Sequence, residues 1–426
     1  MTTVVVAVVP FASVRPAHLG KAAAARGLSP VFVAVRGALG APERAEYAAL
    51  GPVFEVAEDG TGEAVAELRA LDADGVMTFS EGLLPMTATL AAAALELPYH
   101  DAATVTALTD KWVQRRTLAE RGVDTVRSAL VTSREEALAV LAERGEPAVV
   151  KPKRSQSSRD TFLVGPGEEL PAPVRPTPGQ PFVVEEYLRG RDEGEFGDYV
   201  SVESLVVGGE PATLGVTGKF PLLPPFREQG QFVPARLAAP DWAAVTRLAS
   251  DAARALGVER GHVHTEIKLT PAGPKIIEVN GRLGGFMHEV YGRATGQDLV
   301  ELGLAAACGL PVSPVEARRD GPVHVQYWNL PPRSGGELLA VEGVERLTAE
   351  EGVVGHLPRV APGTVLEPAV TTHFMDIVSG RADDHAGLLT LLDRALPHLL
   401  FVYRLADGST VSYRGSRRGL VPVDGA

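Results

Sequence analysis

Four polar side chains that could bind a metal ion or a phosphate lie in the stretch TEIKLTPAGPKIIEVNGRLGG: Glu266, Glu278, Asn280 and Arg282. The runs on either side of Pro-Ala-Gly alternate apolar and polar residues, which is typical of β-strands. The pattern predicts a hairpin that carries glutamates on strands, where an uncompensated buried carboxylate costs several kcal/mol. Something must therefore compensate these charges.

The Pro-Ala-Gly segment predicts how the two strands pair. A three-residue hairpin loop that ends in glycine is a common connection, and it would place Thr270 opposite Pro274 and Glu266 opposite Glu278. Opposed residues point to one face with their Cβ atoms about 4.5–5.5 Å apart, and Asn280 shares that face. The repulsion between the carboxylates favours a divalent cation with oxygen ligands, such as Mg²⁺. A solvated strand face is the alternative interpretation.

Composition and charge restrict the class of protein. The chain has 426 residues, which predicts two to four domains, and a net charge of -12, which argues against a nucleic-acid or anionic-membrane partner. No apolar run reaches the roughly 18 residues of a membrane span, and the N-terminal apolar run predicts a buried strand rather than a signal peptide. The single cysteine, Cys308, excludes an intrachain disulfide and favours a cytoplasmic location; its flanks predict a small buried helix residue.

The N-terminal part alternates predicted strands with Ala-rich helices. Strands are predicted at residues 4–9, 31–35, 53–56 and 75–79, and helices at 21–27 and 86–97. This alternation is typical of a doubly wound α/β domain. The turn after the first strand contains no glycine, so a dinucleotide-binding fingerprint is missing there and an oxidoreductase is disfavoured.

Helix start and stop signals and apolar runs predict the helices and strands in the rest of the chain. Helices are predicted at residues 110–121, from a capping box of Ser133 and Glu136 to Gly145, and at 241–256, 297–308 and 386–395. The segments PAVVKPKRS, PFVVEEYL and YVSVESLVV predict strands, and a Pro/Gly-rich loop precedes the second of them. From about residue 313 the chain predicts mainly strands.

Several segments, taken in order from about residue 110 to 310, resemble the ATP-grasp superfamily of carboxylate–amine ligases, and within it the amino-acid ligases. They are DKWVQRRTLAERGV, AVVKPKRS, VVEEYLRG, VTGKFPLLPPFREQGQFVPA and TEIKLTPAGPKIIEVNGRLGG. Each segment alone is weak evidence, but their order and spacing together are specific. The resemblance implies the ATP-grasp fold, of mixed α/β and α+β class. An N-terminal doubly wound α/β domain would precede a two-subdomain nucleotide-binding region and a strand-rich C-terminal region.

The resemblance also implies roles for individual residues. The metal ligands would be Glu266, Glu278 and Asn280, holding Mg²⁺, with Mn²⁺ as the alternative ion, between the phosphates of ATP. The catalytic residues would be Arg282, Lys219 and Glu228, which would contact the reacting groups and the substrate. The residues that bind ATP would be Lys111, Lys151, Glu185, Glu186, Leu188, Ser157 and Ser158.

Simpler interpretations exist for several of these residues. Lys111 and Lys219 could be solvated lysines, and Arg282 could cap the hairpin. The histidines that flank the site (His262, His264 and His288) are more often hydrogen-bonded core residues, so we do not count them as catalytic.

The chain also departs from the family pattern. Relatives carry a glycine-rich phosphate loop where this chain has RSQSSRD, they often have a glutamate at the position of Tyr199, and amino-acid ligases often have a histidine at the position of Gln231. Serine hydroxyls and an arginine can still bind phosphate.

The predicted domains are residues 1–105, 106–182, 183–312 and 313–426. The predicted function is the ATP-dependent joining of the carboxylate of an amino acid to an amine through an acyl phosphate. The predicted partners are small molecules, and a homodimer is the expectation from the family. The alternatives are a ligase of the biotin carboxylase or purine-pathway type, and a non-catalytic nucleotide-binding module.

Overall fold

A computed structural model describes residues 2–10, 12–57, 66–68, 70–80, 95–155, 158–368 and 372–423. Within these residues the strands form four sheets. The predicted helix at residues 86–97 lies mainly outside the described residues, and Ser157 lies outside them entirely.

The first sheet is parallel and belongs to the N-terminal part. Its strands are β1 (Thr2–Ala7), β2 (Leu28–Val35), β3 (Val53–Val56) and β4 (Gly75–Thr78), in the order β3-β2-β1-β4. The helices α1 (Pro16–Ala25) and α2 (Ala41–Ala48) connect them. Val4 and Val6 belong to one hydrophobic cluster and Val5 and Ala7 to another, so the sheet is buried on both faces. The predicted α/β architecture is confirmed.

The second sheet is antiparallel and follows two helices, α3 (Ala102–Thr109) and α4 (Lys111–Glu120). Its strands are β5 (Ser128–Val131), β6 (Ala148–Pro152), β7 (Phe162–Val164) and β8 (Phe182–Glu186), in the order β5-β8-β6-β7. The helix α5 (Arg134–Arg144) lies between β5 and β6 in sequence. Ser133 caps it and Gly145 ends it with a φ of 64°, as predicted.

The remaining strands are β9 (Tyr199–Val207), β10 (Glu210–Lys219), β11 (Gly230–Val233), β12 (Arg260–Thr270), β13 (Gly273–Asn280), β14 (Val323–Asn329), β15 (Gly336–Glu342), β16 (Val353–Pro358), β17 (Val365–Leu366), β18 (Asp376–Ala382), β19 (Leu400–Arg404), β20 (Thr410–Arg414) and β21 (Val421–Pro422). The third sheet has eight strands in the order β13-β12-β9-β10-β11-β14-β18-β16. The fourth has the order β17-β15-β19-β20-β21. The third sheet therefore includes strands from both sides of the predicted domain boundary at residue 312.

Five helices accompany these two sheets: α6 (Ala239–Ala255), α7 (Met287–Thr295), α8 (Leu299–Ala307), α9 (Val344–Ala349) and α10 (His385–Ala395). The predicted helices in this region occur within a few residues of their expected bounds. No helix in the described part of the chain has the length and apolar character needed to cross a membrane.

The hairpin of β12 and β13 pairs Glu266 with Glu278, as predicted, but by a different route. The expected three-residue loop is wrong: Thr270 pairs with Gly273 rather than with Pro274. A register shift directly after Glu266 restores the alignment, because Ile267 pairs with Ile276 and leaves one extra residue on β13. A bulge of this kind offsets the shorter turn by one residue, so the two glutamates still meet.

Candidate active site

One cavity gathers every predicted site residue that the structure describes. The lining comes from the second and third sheets, from α4 and from the segments that follow β8, β10 and β13. The predicted residues in its wall are Lys111, Lys151, Ser158, Glu185, Glu186, Leu188, Lys219, Glu228, Glu266, Glu278, Asn280 and Arg282.

The helix α4 packs on the edge strand β13 and positions Lys111 in the site. The side-chain amide of Gln114 donates to Val279 O and accepts from Val279 N, both at 2.8 Å. The guanidinium of Arg115 donates to Ile276 O and Ile277 O, both at 2.7 Å. The edge strand is thus bonded by side chains instead of a further strand. These bonds fix the start of α4, where Lys111 lies beside Glu278.

The opposed glutamates each contact a different cation. Lys111 Nζ lies 2.9 Å from Glu278 Oε1, and His264 Nε2 lies 3.3 Å from Glu266 Oε1. The side chains of both glutamates are 24% exposed. Two like charges on one strand face are therefore compensated by protein groups on separate sides, which lowers the cost of the pair.

His264 connects the pair to a fully buried carboxylate. Its Nδ1 lies 2.5 Å from Glu203 Oε1, and Glu203 is 0% exposed. Burial acts to lower the pKa of His264, but Glu203 and Glu266 outweigh it and raise this pKa to about 10. His264 is therefore an imidazolium at neutral pH. With Lys219 and Lys151, it lowers the pKa of Glu266 against the opposing effect of burial.

The residues predicted to hold a metal ion suit a hard divalent cation. Glu266, Glu278 and Asn280 offer two carboxylates and one amide oxygen from adjacent strands, and all three line the cavity. Mg²⁺ prefers oxygen ligands in small numbers, completed by water and substrate phosphates. The ligand set therefore fits Mg²⁺ bound together with a nucleotide.

Three buried charged residues form the wall next to the metal ligands. Lys151 Nζ lies 2.7 Å from Glu185 Oε2, and Arg115 donates to both oxygens of the same carboxylate at 3.0 and 3.1 Å. Burial acts to raise the pKa of Glu185, but the two cations outweigh it and lower this pKa to about 2. Burial lowers the pKa of Lys151. The network fixes the ammonium group of Lys151 at the cavity wall.

The predicted catalytic residues line the same cavity. Lys219 Nζ lies 3.4 Å from Glu228 Oε1, and the hydroxyl of Tyr199 donates to the same oxygen at 3.2 Å. Arg282 follows β13, donates to Leu283 O at 3.0 Å and lines the cavity. Burial lowers the pKa of Arg282 to about 9. A carboxylate and two cations thus line the cavity together with the predicted metal ligands.

The fold and the sequence both match known proteins. Residues 145–289 match the family model described as the ATP-grasp domain. The match in sequence is confined to that part of the chain. The crystal structure of L-amino acid ligase from Bacillus licheniformis aligns with a TM-score of 0.77 at 22% identity, over 95% of this chain and 99% of that one. The predicted ATP-grasp fold is confirmed.

Two curated relatives match shorter regions. Carnosine synthase 1 of Gallus gallus is 34% identical over 176 residues, which is 39% of this chain and 18% of the relative. Alanine–anticapsin ligase of Bacillus subtilis (strain 168) is 28% identical over 221 residues, 47% of this chain and 46% of the relative. The aligned regions thus span less than half the length of both relatives.

The segment RSQSSRD, which was predicted to bind phosphate, is described only in part. The backbone carbonyl of Ser155 accepts a hydrogen bond from Lys111 Nζ at 2.7 Å, and Ser158 has a φ of 54°. Ser155 and Ser158 line the cavity, and Ser157 lies outside the described residues. A left-handed backbone is unusual for serine and is a conformation that glycine adopts more readily.

Some residues of the site were missed by sequence reasoning. Arg115 lies four residues after Lys111, so helical spacing placed it on the same face and could have indicated it. His264 lies two residues before Glu266 on one strand, which also gives a common face. Glu203 lies on β9, and only the pairing of β9 with β12 brings it opposite His264. No local signal marks that partner.

A second group of possible metal ligands lies outside the cavity. Ligand atoms of His18, His288 and Glu289 lie within 4.8 Å of one another. The backbone N–H of Arg15 donates to His18 Nδ1 at 3.1 Å, which in a neutral ring leaves the proton on Nε2. Glu289 already contacts Gln326 at 3.2 Å. We assign no metal to this group, because two of its three members are engaged.

Proposed function

We propose that the protein is an ATP-dependent ligase that joins the carboxylate of an amino acid to an amine. The reaction would pass through an acyl phosphate and release ADP and phosphate. The observation that carries this proposal is the opposed pair of Glu266 and Glu278 in a cavity that also holds Lys111, Lys151 and Lys219. The ligase names of the two curated relatives support the reaction class.

The first step brings several negative charges together. The substrate carboxylate attacks the γ-phosphorus of ATP, and the bond from that phosphorus to the β–γ bridging oxygen breaks to release ADP. Lys151, Lys219 and Arg282 line the cavity and supply positive charge to phosphates and carboxylate. Such catalysis depends mainly on positioning and charge neutralisation. Mg²⁺ bound by the two glutamates and Asn280 would further neutralise the phosphates.

The second step needs a group that binds the amine. The nitrogen attacks the acyl carbon, the bond to the phosphate oxygen breaks, and the nitrogen loses a proton. Glu228 is a carboxylate in the wall of the cavity, and Tyr199 and Lys219 orient it. We assign to Glu228 the binding of the ammonium group and the acceptance of its proton.

Release of phosphate from ATP in the presence of Mg²⁺ and a panel of carboxylates and amines tests this function, with products identified by mass spectrometry. We expect release only when both an acid and an amine are present, with an amide of matching mass. Tight ATP binding without release for any pair would favour the nucleotide-binding module. A cytoplasmic location and a homodimer stay predictions.

A further inference from the structure

Three buried polar side chains form a row across the third sheet beside the reacting groups. Gln231 on β11 lies directly opposite Lys219 on β10 and, on its other side, opposite Gln326 on β14. Opposed residues point to one face of a sheet, and all three side chains are at most 2% exposed. Gln231 and Lys219 line the cavity. The amide of Gln231 is therefore part of the cavity wall.

Hydrogen bonds within this row fix the orientation of the Gln231 amide. Gln326 Nε2 donates to Glu289 Oε2 at 3.2 Å, which leaves Gln326 Oε1 to accept from Gln231. Gln231 Nε2 donates to Gln326 Oε1 and to Gly285 O, both at 2.9 Å. A carboxylate and a carbonyl oxygen can only accept hydrogen bonds. Turning either amide over would place two acceptors against each other, so the nitrogen of Gln231 is held on the protein side.

The carbonyl oxygen of Gln231 is left for a ligand. In the described part of the chain no group donates to Gln231 Oε1, and this oxygen is accessible in a side chain that lines the cavity. An acceptor that loses water without gaining a donor is destabilised. Because the partners of Nε2 fix the amide, the side chain cannot present a donor in place of this acceptor. The wall is therefore complementary to a hydrogen-bond donor of the substrate.

The position of Gln231 indicates which part of the substrate carries that donor. Lys219, which we assign to the phosphates and the reacting carboxylate, lies opposite Gln231, and the Cβ atoms of such pairs are about 4.5–5.5 Å apart. Gly285, which Gln231 holds, lines the same cavity and follows Arg282 by three residues. The carbon next to a carboxylate is the nearest atom of an acid that can carry a donor. The donor should therefore be the α-substituent.

The absence of charge on Gln231 decides how strictly this donor is recognised. An ammonium group gains most from a charged acceptor, but Gln231 offers a neutral oxygen and its neighbour Lys219 is a cation. The carboxylate that contacts Lys219, Glu228, is assigned to the second substrate. A hydroxyl group donates to a neutral oxygen and brings no positive charge next to Lys219. This part of the wall therefore requires a donor but not an ammonium group.

We propose that Gln231 Oε1 accepts a hydrogen bond from the substituent next to the reacting carboxylate, and that α-hydroxy acids are therefore substrates alongside α-amino acids. The inference rests on the proposed function and extends its acid substrate to a second chemical class. The carboxylate of the hydroxy acid attacks the γ-phosphorus and ADP leaves. The amine then attacks the acyl carbon, phosphate leaves and the nitrogen loses a proton. The hydroxyl group keeps its bonds, and the product is an α-hydroxy amide.

The test compares acids that share a carbon skeleton and differ only at the α-position. The series are L-alanine, L-lactate and propionate; L-leucine, L-α-hydroxyisocaproate and isocaproate; and L-phenylalanine, L-phenyllactate and hydrocinnamate. Hydroxylamine serves as the amine, and mass spectrometry measures the hydroxamate formed with ATP and Mg²⁺. In at least one series we expect kcat/KM for the hydroxy acid to exceed that for the unsubstituted acid by about fivefold or more. It should also lie within about tenfold of kcat/KM for the amino acid.

Substitutions separate recognition of the substrate from support of the wall. Gln231→Met removes the acceptor at similar length, so the ratio of kcat/KM between the hydroxy acid and the unsubstituted acid should fall to about one. Gln326→Met is the matched control, because it breaks the same row on the next strand and leaves Gln231 Oε1 in the cavity wall. It should keep the ratio. Gln231→Glu adds a negative charge and should shift the preference from the hydroxy acid toward the amino acid.

The two proposals fail in different ways. This inference is overturned if the wild type uses the hydroxy acid no better than the unsubstituted acid in every series, a comparison that needs no variant to fold. It is also overturned if Gln231→Met keeps the preference, or if Gln326→Met abolishes it equally. Hydroxamate from none of these acids would overturn it too, while an amide from any other acid–amine pair would still support the proposed function. Product from no pair at all would contradict the ligase.

Discussion

Glu266 and Glu278 lie directly opposite each other on β12 and β13, and each contacts a different cation of the protein. His264 compensates the first carboxylate and Lys111 the second. The two charges are therefore compensated by groups of the protein itself, and Lys111 is held in the wall of the cavity. This arrangement explains how a chain can keep two carboxylates on one strand face.

The glutamate pair should be essential for activity but not for folding. Glu278→Gln and Glu266→Gln each remove a ligand charge, so we expect ATP-dependent phosphate release to fall by at least about 100-fold. Steady-state release rates measure the loss, and circular dichroism checks the fold. Glu342→Gln, on an exposed position of β15, is the control and should keep full activity. Full activity in Glu278→Gln would refute the metal assignment.

Arg115 should contribute far more to the free energy of unfolding than its neighbour Arg116. It is 6% exposed and bonds to Glu185 and to two carbonyls of β13, so Arg115→Met leaves a buried carboxylate with Lys151 alone. We expect the free energy of unfolding to fall by about 3–5 kcal/mol. Arg116→Met removes an exposed i,i+4 pair with Glu120 and should cost no more than about 0.5 kcal/mol. Urea denaturation measures both, and equal losses would contradict the buried network.

Glu185 should make the stability of the protein depend on pH in the acid range. Its pKa falls from the model-compound 4.5 to about 2 in the folded state, so the folded protein binds this proton less tightly than the unfolded chain. The stabilisation is complete above pH 4.5 and is lost as the pH falls toward 2. Between pH 4.5 and 2, urea denaturation should show that the free energy of unfolding falls more steeply for the wild type than for Glu185→Gln. Equal slopes of this free energy against pH would mean that the pKa of Glu185 is not depressed.

Glu228 should affect the amine substrate more than ATP. In Glu228→Gln the charge that we assign to the ammonium group is lost, so the KM for the amine should rise by about tenfold or more, as for a hydrogen bond to a charged group. The KM for ATP should change little. Initial rates with each substrate varied in turn separate the two effects. A rise confined to the KM for ATP would place Glu228 at the nucleotide instead.

The hairpin shows how far sequence alone could reach. Alternation and the order of motifs predicted the two strands, the ATP-grasp fold and the pairing of Glu266 with Glu278. The turn was wrong by one residue, and a bulge at Ile277 on β13 compensated for it. Sequence patterns reveal which face a residue occupies, but a bulge depends on how the whole sheet accommodates the turn. The correct pairing therefore rested partly on two offsetting errors.

The charge partners were harder to predict than the site residues. Glu185 was predicted to bind ATP, and the structure shows that its carboxylate contacts Lys151 and Arg115. His264 was expected to be a hydrogen-bonded core residue, and the structure shows it buried between Glu203 and Glu266. The sequence named neither set of partners, for one physical reason. Long-range partners on β8, β9 and α4 decide the protonation and orientation of these groups, and no local pattern encodes them.

The most direct test of the central claim follows an oxygen atom. The amino acid that supplies the carboxylate, labelled with ¹⁸O at both carboxylate oxygens, is incubated with the protein, ATP, Mg²⁺ and a second amino acid that yields product. An acyl phosphate forms through a carboxylate oxygen, which then leaves with the phosphate. We predict one ¹⁸O atom in each phosphate released, seen by mass spectrometry. Unlabelled phosphate alongside labelled amide, or label in AMP, would contradict the acyl-phosphate mechanism.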